Sequence, residues 1–167
     1  MNIRQATEND IAKLYDVAAK MPAHHARGYF ERCLDEQRQG NRGIYVSEDG
    51  DGLMGYIQLI WSPVYAPFRR LDVPEIQDLN VIPAARGQGI GNALVVYCEE
   101  LARQAGKTDI GLGVGLHAGF GAAQRLYVRR GYMPDGAGIT YDEQGVRAGE
   151  MRPIDDLLCL KMIKSLQ

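Results

Sequence analysis

The sequence predicts a mixed α/β fold: a mixed, mostly antiparallel sheet flanked by helices, in one domain over residues 1–167. Three observations predict it. The segments read in order as β-α-α-β-β-β-α-β-α-β-β, so hairpin-joined strands come first and β-α-β units follow, which excludes a fully parallel wound sheet. The chain has 167 residues, 46% of them hydrophobic and 24% charged, the balance of one globular core. No repeat, linker or low-complexity stretch divides it.

Met1 to Gln5 reads as a short strand. Thr7 then caps a helix through Ile11, Leu14, Tyr15 and Ala18, with Asp10 as the capping-box acid, and the helix stops near Pro22. A second helix is expected over 25–39, with Tyr29, Phe30, Cys33 and Leu34 on one face. Ile44 to Ser47 and Leu53 to Trp61 form a hairpin about the Asp49-Gly50-Asp51-Gly52 turn. Residues 63–74, with three prolines and the pair Arg69-Arg70, read as a loop. A strand over 75–82, an amphipathic helix over 90–105, a glycine-laced strand over 110–116 and a helix over 121–130 follow. Residues 132–150 read as an irregular strand and hairpin, and Leu157 to Ile163 as the last strand.

The net charge of −2 and a pI of 5.9 argue against nucleic acid as the main partner. Cys33, Cys98 and Cys159 form no CxxC pair and read as reduced thiols, with Cys98 in a core stripe rather than a nucleophile. His24 and His25 are chain neighbours, poorly placed to share a metal, and His117 stands alone, so no metal is expected. Residues 1–20 lack a signal-peptide pattern and no apolar run suits a membrane span. The expectation is a cytoplasmic protein acting without nucleic acid or membrane, with association as a homodimer left open.

The run Arg86-Gly87-Gln88-Gly89-Ile90-Gly91 follows a strand and opens a helix. Glycines let an anion approach backbone N–H groups, and the first helical turn carries unpaired N–H groups and a partial positive charge. No Ser, Thr, Asp or Asn stands between 84 and 89 to cap it. The run is therefore a pyrophosphate-sized cradle. It is not a dinucleotide fingerprint, because position 92 is Asn92 and position 94 is Leu94. Nor is Gly106-Lys107-Thr108 a phosphate loop: position 101 is Leu101, and the triplet ends a helix instead of starting one.

The spacing Arg86, Gly89, Gly91 resembles the acetyl-CoA pyrophosphate loop of the GNAT superfamily of N-acetyltransferases. A second match lies downstream: Ala123, Leu126, Tyr127, Gly131 and Tyr132 have the spacing of that family's A-x-x-L-Y-x-x-x-G-[FY] helix. Residues 1–70 match in layout only. One departure is Phe120, where the family often has an Asn touching the pantetheine arm; Gln124 could supply that contact.

The resemblance implies acetyl-CoA as co-substrate and direct acetyl transfer to a primary amine of a small molecule or peptide. A lysine-like amine has a pKa of about 10.4, so baring it at pH 7 costs roughly 4–5 kcal/mol. By resemblance the base is Glu75, eleven residues before Arg86; the plainer alternative is an exposed charge at a strand end. Asp78 is a rival that could instead cap a local bulge, and Gln77 could bind substrate. Backbone N–H groups over Leu79, Asn80 and Val81 would hold pantetheine and polarise the carbonyl. Arg86, Gly87, Gln88, Gly89, Ile90 and Gly91 would hold the pyrophosphate. Tyr127 would protonate the departing thiolate, or else be a core aromatic. Gly113 and Gly115 could leave room for a longer acyl chain. The acceptor is expected against residues 20–40, 61–74 and 133–150, which hold Tyr29, Phe30, Trp61, Tyr65, Phe68 and Tyr141 beside Asp135, Asp142, Glu143 and Glu150. Arg69 and Arg70 would favour an acidic substrate. The alternative function is a non-catalytic acyl-CoA sensor on the same fold.

Overall fold

The structure, a computed structural model, describes residues 1–21, 25–50 and 52–167. Their contacts divide the chain into two compact units, residues 1–61 with 76–101, and residues 62–75 with 102–167. The architecture is mixed α/β, with mostly antiparallel strands flanked by helices.

In the first unit the strands run in the order β1 (Asn2–Gln5), β2 (Arg42–Asp49), β3 (Gly52–Ile60) and β4 (Glu75–Val81, whose first residue belongs to the second unit). β1 pairs antiparallel with β2 and β2 with β3, with a bulge at Ser47/Glu48. Helices α1 (Ile11–Ala18) and α2 (Tyr29–Arg38) lay Leu14, Val17, Phe30, Cys33 and Leu34 onto Ile44, Val46, Leu53 and Tyr56 as one core. α2 starts four residues later than the sequence predicts. Gly28 takes a left-handed φ of 84°, which a helix interior cannot contain. Pro22 and His24 lie outside the described residues.

In the second unit β5 (Asp109–Gly115) pairs antiparallel with β8 (Leu158–Ser165), β8 with β6 (Met133–Tyr141), and β6 with β7 (Gln144–Gly145). The expected loop 63–74 contains a short helix, α3 (Ala66–Arg70). Pro67 falls in its first turn, where a missing N–H costs nothing. Its Phe68 packs with Tyr65 and Val73 against Ile163. α4 (Ile90–Gln104) and α5 (Gly121–Arg129) match the predicted helices within a residue. No helix among the described residues is long and apolar enough to cross a membrane.

Candidate active site

The glycine loop is built by local chain chemistry. β4 ends at Val81, and a 3-10 turn over Pro83–Ala85 swings the chain into Arg86. Arg86 Nε donates back to the Val81 carbonyl at 3.1 Å, while the exposed guanidinium passes Met21 Sδ at 3.7 Å. Gly87 and Gly89 take φ of 78° and 82°, where an L side chain costs about 1 kcal/mol. A Cβ at either position would meet no atom within 4 Å. The glycines are therefore required by backbone conformation, and the space beside them is open. Gly89 carbonyl accepts from Ala93 N at 2.9 Å, opening the α4 ladder, and buried Ile90 anchors it. Gln88 Nε2 caps only the Ala84 carbonyl, at 3.3 Å. A positive helix end beside an exposed Arg suits a doubly charged anion.

The two acids of β4 have opposite surroundings. Glu75 is not an exposed charge at a strand end: it is 0% exposed. Its Oε1 accepts from Lys161 Nζ at 2.6 Å, and the same Nζ donates to Glu143 Oε2 at 2.7 Å and lies 5.0 Å from the Tyr65 ring centre. Burial pulls the Lys161 ammonium down, but Glu75 and Glu143 outweigh it and hold the pKa above the ordinary lysine value. Sequence reasoning missed Lys161. Its signal was a lone charge in the apolar run 157–163, which a buried strand tolerates only with a partner.

Asp78 stands at a left-handed φ of 54° within β4. Its Oδ1 accepts from Asn80 Nδ2 at 2.7 Å. Its Oδ2 accepts from Gln58 Nε2 at 2.8 Å and Tyr29 OH at 3.2 Å, with His25 Nε2 at 2.9 Å. Burial first, and Asp78 second, push the Tyr29 and Tyr56 phenols far above their ordinary value, so both are neutral donors. His25 lies flat on Tyr29, ring centres 3.8 Å apart and planes 3° apart. Asn80, expected to use its backbone, thus also commits its side chain, which reaches Tyr56 OH at 3.0 Å. His25, Gln58 and Tyr56 were missed because they gather around Asp78 from outside β4, His25 from the segment before α2 and Tyr56 and Gln58 from β3.

Tyr127 is 5% exposed on α5, its ring edge-on to Tyr132 at 5.8 Å. Gln124 Nε2 donates to the Gly115 carbonyl at 2.8 Å. Gly113 and Gly115 do not leave room for a longer acyl chain. A Cβ on Gly115 would come within 2.3 Å of the Phe120 ring, and one on Gly113 within 3.2 Å of Lys161 Nζ.

Residues 7–132 match the Acetyltransferase (GNAT) family. The chain belongs to that family. A similar solved structure, a Salmonella typhimurium protein with its cofactor acetyl-CoA, is 21% identical over 100% of this chain and 94% of that one, with a TM-score of 0.71. The aminoglycoside 6'-N-acetyltransferase complexed with coenzyme A is 20% identical over 100% and 98%, with a TM-score of 0.72. The ribosomal-protein-alanine N-acetyltransferase of Brucella melitensis is 23% identical over 99% of each, with a TM-score of 0.71. Among curated proteins, the aminoalkylphosphonate N-acetyltransferase of Salmonella typhimurium is 43% identical over 60 residues, 36% of this chain and 38% of that protein.

In this GNAT chain several residues expected near the acceptor are structural. Phe30 and Phe68 are core, Tyr65 donates to Asp135 at 2.8 Å, and Tyr141 donates to Asp155 at 2.8 Å. Arg69 spends its guanidinium on the carbonyls of Pro63 and Val64. Burial raises the thiols of Cys33, Cys98 and Cys159 above the ordinary value, so each GNAT thiol is held away from its nucleophilic form.

Proposed function

We propose that residues 1–167 act as one N-acetyltransferase domain that moves the acetyl group of acetyl-CoA to a primary amine by direct attack in a ternary complex. The observation that carries this is the loop 86–91: two left-handed glycines and an exposed Arg at a helix start with no Ser, Thr, Asp or Asn over 84–89, in a chain of the GNAT family. In this reading Arg86, Gly87, Gln88, Gly89, Ile90 and Gly91 hold the pyrophosphate. Backbone N–H groups of Leu79, Asn80 and Val81 hold pantetheine and polarise the thioester carbonyl, with Gln124 as a further proposed pantetheine contact.

The amine nitrogen attacks the carbonyl carbon and the carbon–sulfur bond breaks. The protonated amine loses one proton before attack and one after it, and the second ends on sulfur. Tyr127 delivers that proton. Glu75, at the head of β4, relays the first. Being wholly buried beside Lys161, it does so through a relay and not by touching the amine.

The test is release of free CoA across aminoalkylphosphonates, aminoglycosides, polyamines and peptide N-termini. Amine-dependent release supports transfer; acetyl-CoA binding without it selects the non-catalytic sensor. Tyr127→Phe should lower kcat about 10²-fold with acetyl-CoA affinity kept, and unchanged turnover removes Tyr127 from the chemistry. A Glu75→Gln variant that keeps the acidic limb of the pH–rate profile takes Glu75 off the proton path. Gly89→Ala should cost about 1 kcal/mol of stability and weaken acetyl-CoA binding; unaltered binding moves the anion site elsewhere.

A further inference from the structure

We propose that His25 is the group that meets the acceptor amine and takes its first proton, with Asp78 and Tyr29 as its positioning residues; the inference rests on the acetyltransferase reading above.

The hydrogen-bond directions around Asp78 are forced. Arg42 has donors only, and its Nη1 donates to Gln58 Oε1, so the Gln58 amide nitrogen must face the other way. That nitrogen donates to Asp78 Oδ2 and to Tyr29 OH, the latter at 3.0 Å. Tyr29 OH, already accepting, spends its own proton on Asp78. A carboxylate so surrounded can only accept, so the His25 nitrogen 2.9 Å from Oδ2 is the one that carries hydrogen. Neutral His25 is therefore the Nε2–H tautomer, and its ring lone pair is on Nδ1.

The ring is also held in orientation. Tyr29 stacks on its face, and Phe30 meets it at 79° with centres 5.4 Å apart. The His25 side chain keeps 21% of its surface exposed, so it is ordered yet reachable. The titratable and charged groups facing it are Asp78 from β4, Tyr29 from α2 and Tyr56 from β3, whose hydroxyl is 3.1 Å from Nε2. Arg42 of β2 acts only through Gln58. Asp78 holds a left-handed φ of 54°, and strain of that kind is kept where the surroundings require it.

The step balances without a co-reactant. The lone pair on Nδ1 takes a proton from the ammonium group, an N–H bond forms on imidazole, and the amine keeps the electron pair it then uses in attack. The imidazolium rests against Asp78 and then gives this proton up, through the relay assigned to Glu75 above, to solvent.

Two measurements on the full chain test this. Histidine ¹⁵N spectra of the wild type, with His25 assigned by the signals lost in His25→Gln, should show the Nε2–H tautomer, and Asp78→Asn should erase that preference. An Nδ1–H tautomer overturns the proposal. Second, CoA release is followed against pH with 2-aminoethylphosphonate, spermidine and an alanine-terminated peptide. His25→Gln should lower kcat/KM about 10²-fold or more and lose the acidic limb, with acetyl-CoA affinity kept, and free imidazole should partly restore His25→Ala. A slower variant that keeps the wild-type limb and ignores imidazole overturns the proposal and makes His25 a packing residue. Wild-type release with an unaltered His25→Gln profile overturns it alone, whereas no release from the wild type with any of these amines overturns the acetyltransferase reading with it.

Discussion

Glu75 and Asp78 are three positions apart on one strand, yet the chain neutralises them in different ways. Glu75 is matched by a fixed cation, because two carboxylates hold Lys161 charged against its burial. Asp78 is matched by amide and phenol hydrogens that never ionise in the working range, plus one histidine. Histidine is the side chain whose ordinary titration lies between about pH 5 and 8. An acid locked to an ammonium group can meet the amine's proton only through a relay, whereas one that orients an imidazole can hold the group that takes that proton directly. Burial alone does not separate the two, since both acids are largely covered. What separates them is whether the partner can change charge.

The strongest way to break this comparison is Lys161→Met. It leaves Glu75 buried beside an apolar side chain, and removing one partner of a buried pair costs about 3–5 kcal/mol. For a chain of this size that lowers Tm by roughly 10 °C. The double variant Glu75→Gln with Lys161→Met should recover most of the loss, since Glu143, with 30% of its side chain exposed, can turn to water. A single-variant cost below about 1 kcal/mol shows that the pair is hydrated, and the contrast with Asp78 then fails.

The parts legible in the sequence are those whose chemistry is local. The loop 86–91 announces itself because glycines, an arginine and a strand-to-helix change fall within a few residues, and the left-handed angles at Gly87 and Gly89 require that spelling. The hairpin, α4 and α5 follow from periodicity in the same way. The pairs that define the rest of the site are not local. Lys161 is 86 positions from Glu75, and Asp78 draws partners from 49 and 20 positions away. The sequence shows a histidine beside another histidine and a lysine in an apolar strand; only the fold supplies their carboxylates. α3 was missed for a related reason, since prolines that read as loop signals also suit the first turn of a helix.

A smaller effect sharpens the same contrast at Asp10, a third acid with a fixed cation. Arg4 grips both its oxygens, at 2.8 and 2.9 Å, and Thr7 N donates to it at 2.8 Å. The Arg4 hydrogen bonds, working against burial, lower its pKa from 3.8 to about 2. A carboxyl whose folded pKa is depressed adds stability that is present above its unfolded pKa and is lost as pH falls through the folded one. The window here runs from about pH 4 down to about pH 2. With Arg4 a third exposed, screening leaves about 1–2 kcal/mol at neutral pH. Asp10→Asn should therefore lower stability by that amount at pH 7, and the wild type and variant should converge near pH 2 in denaturant titrations. A gap that stays constant with pH shows that Asp10 acts only as a helix cap. Of these three acids, only Glu75 would then draw stability from its fixed cation.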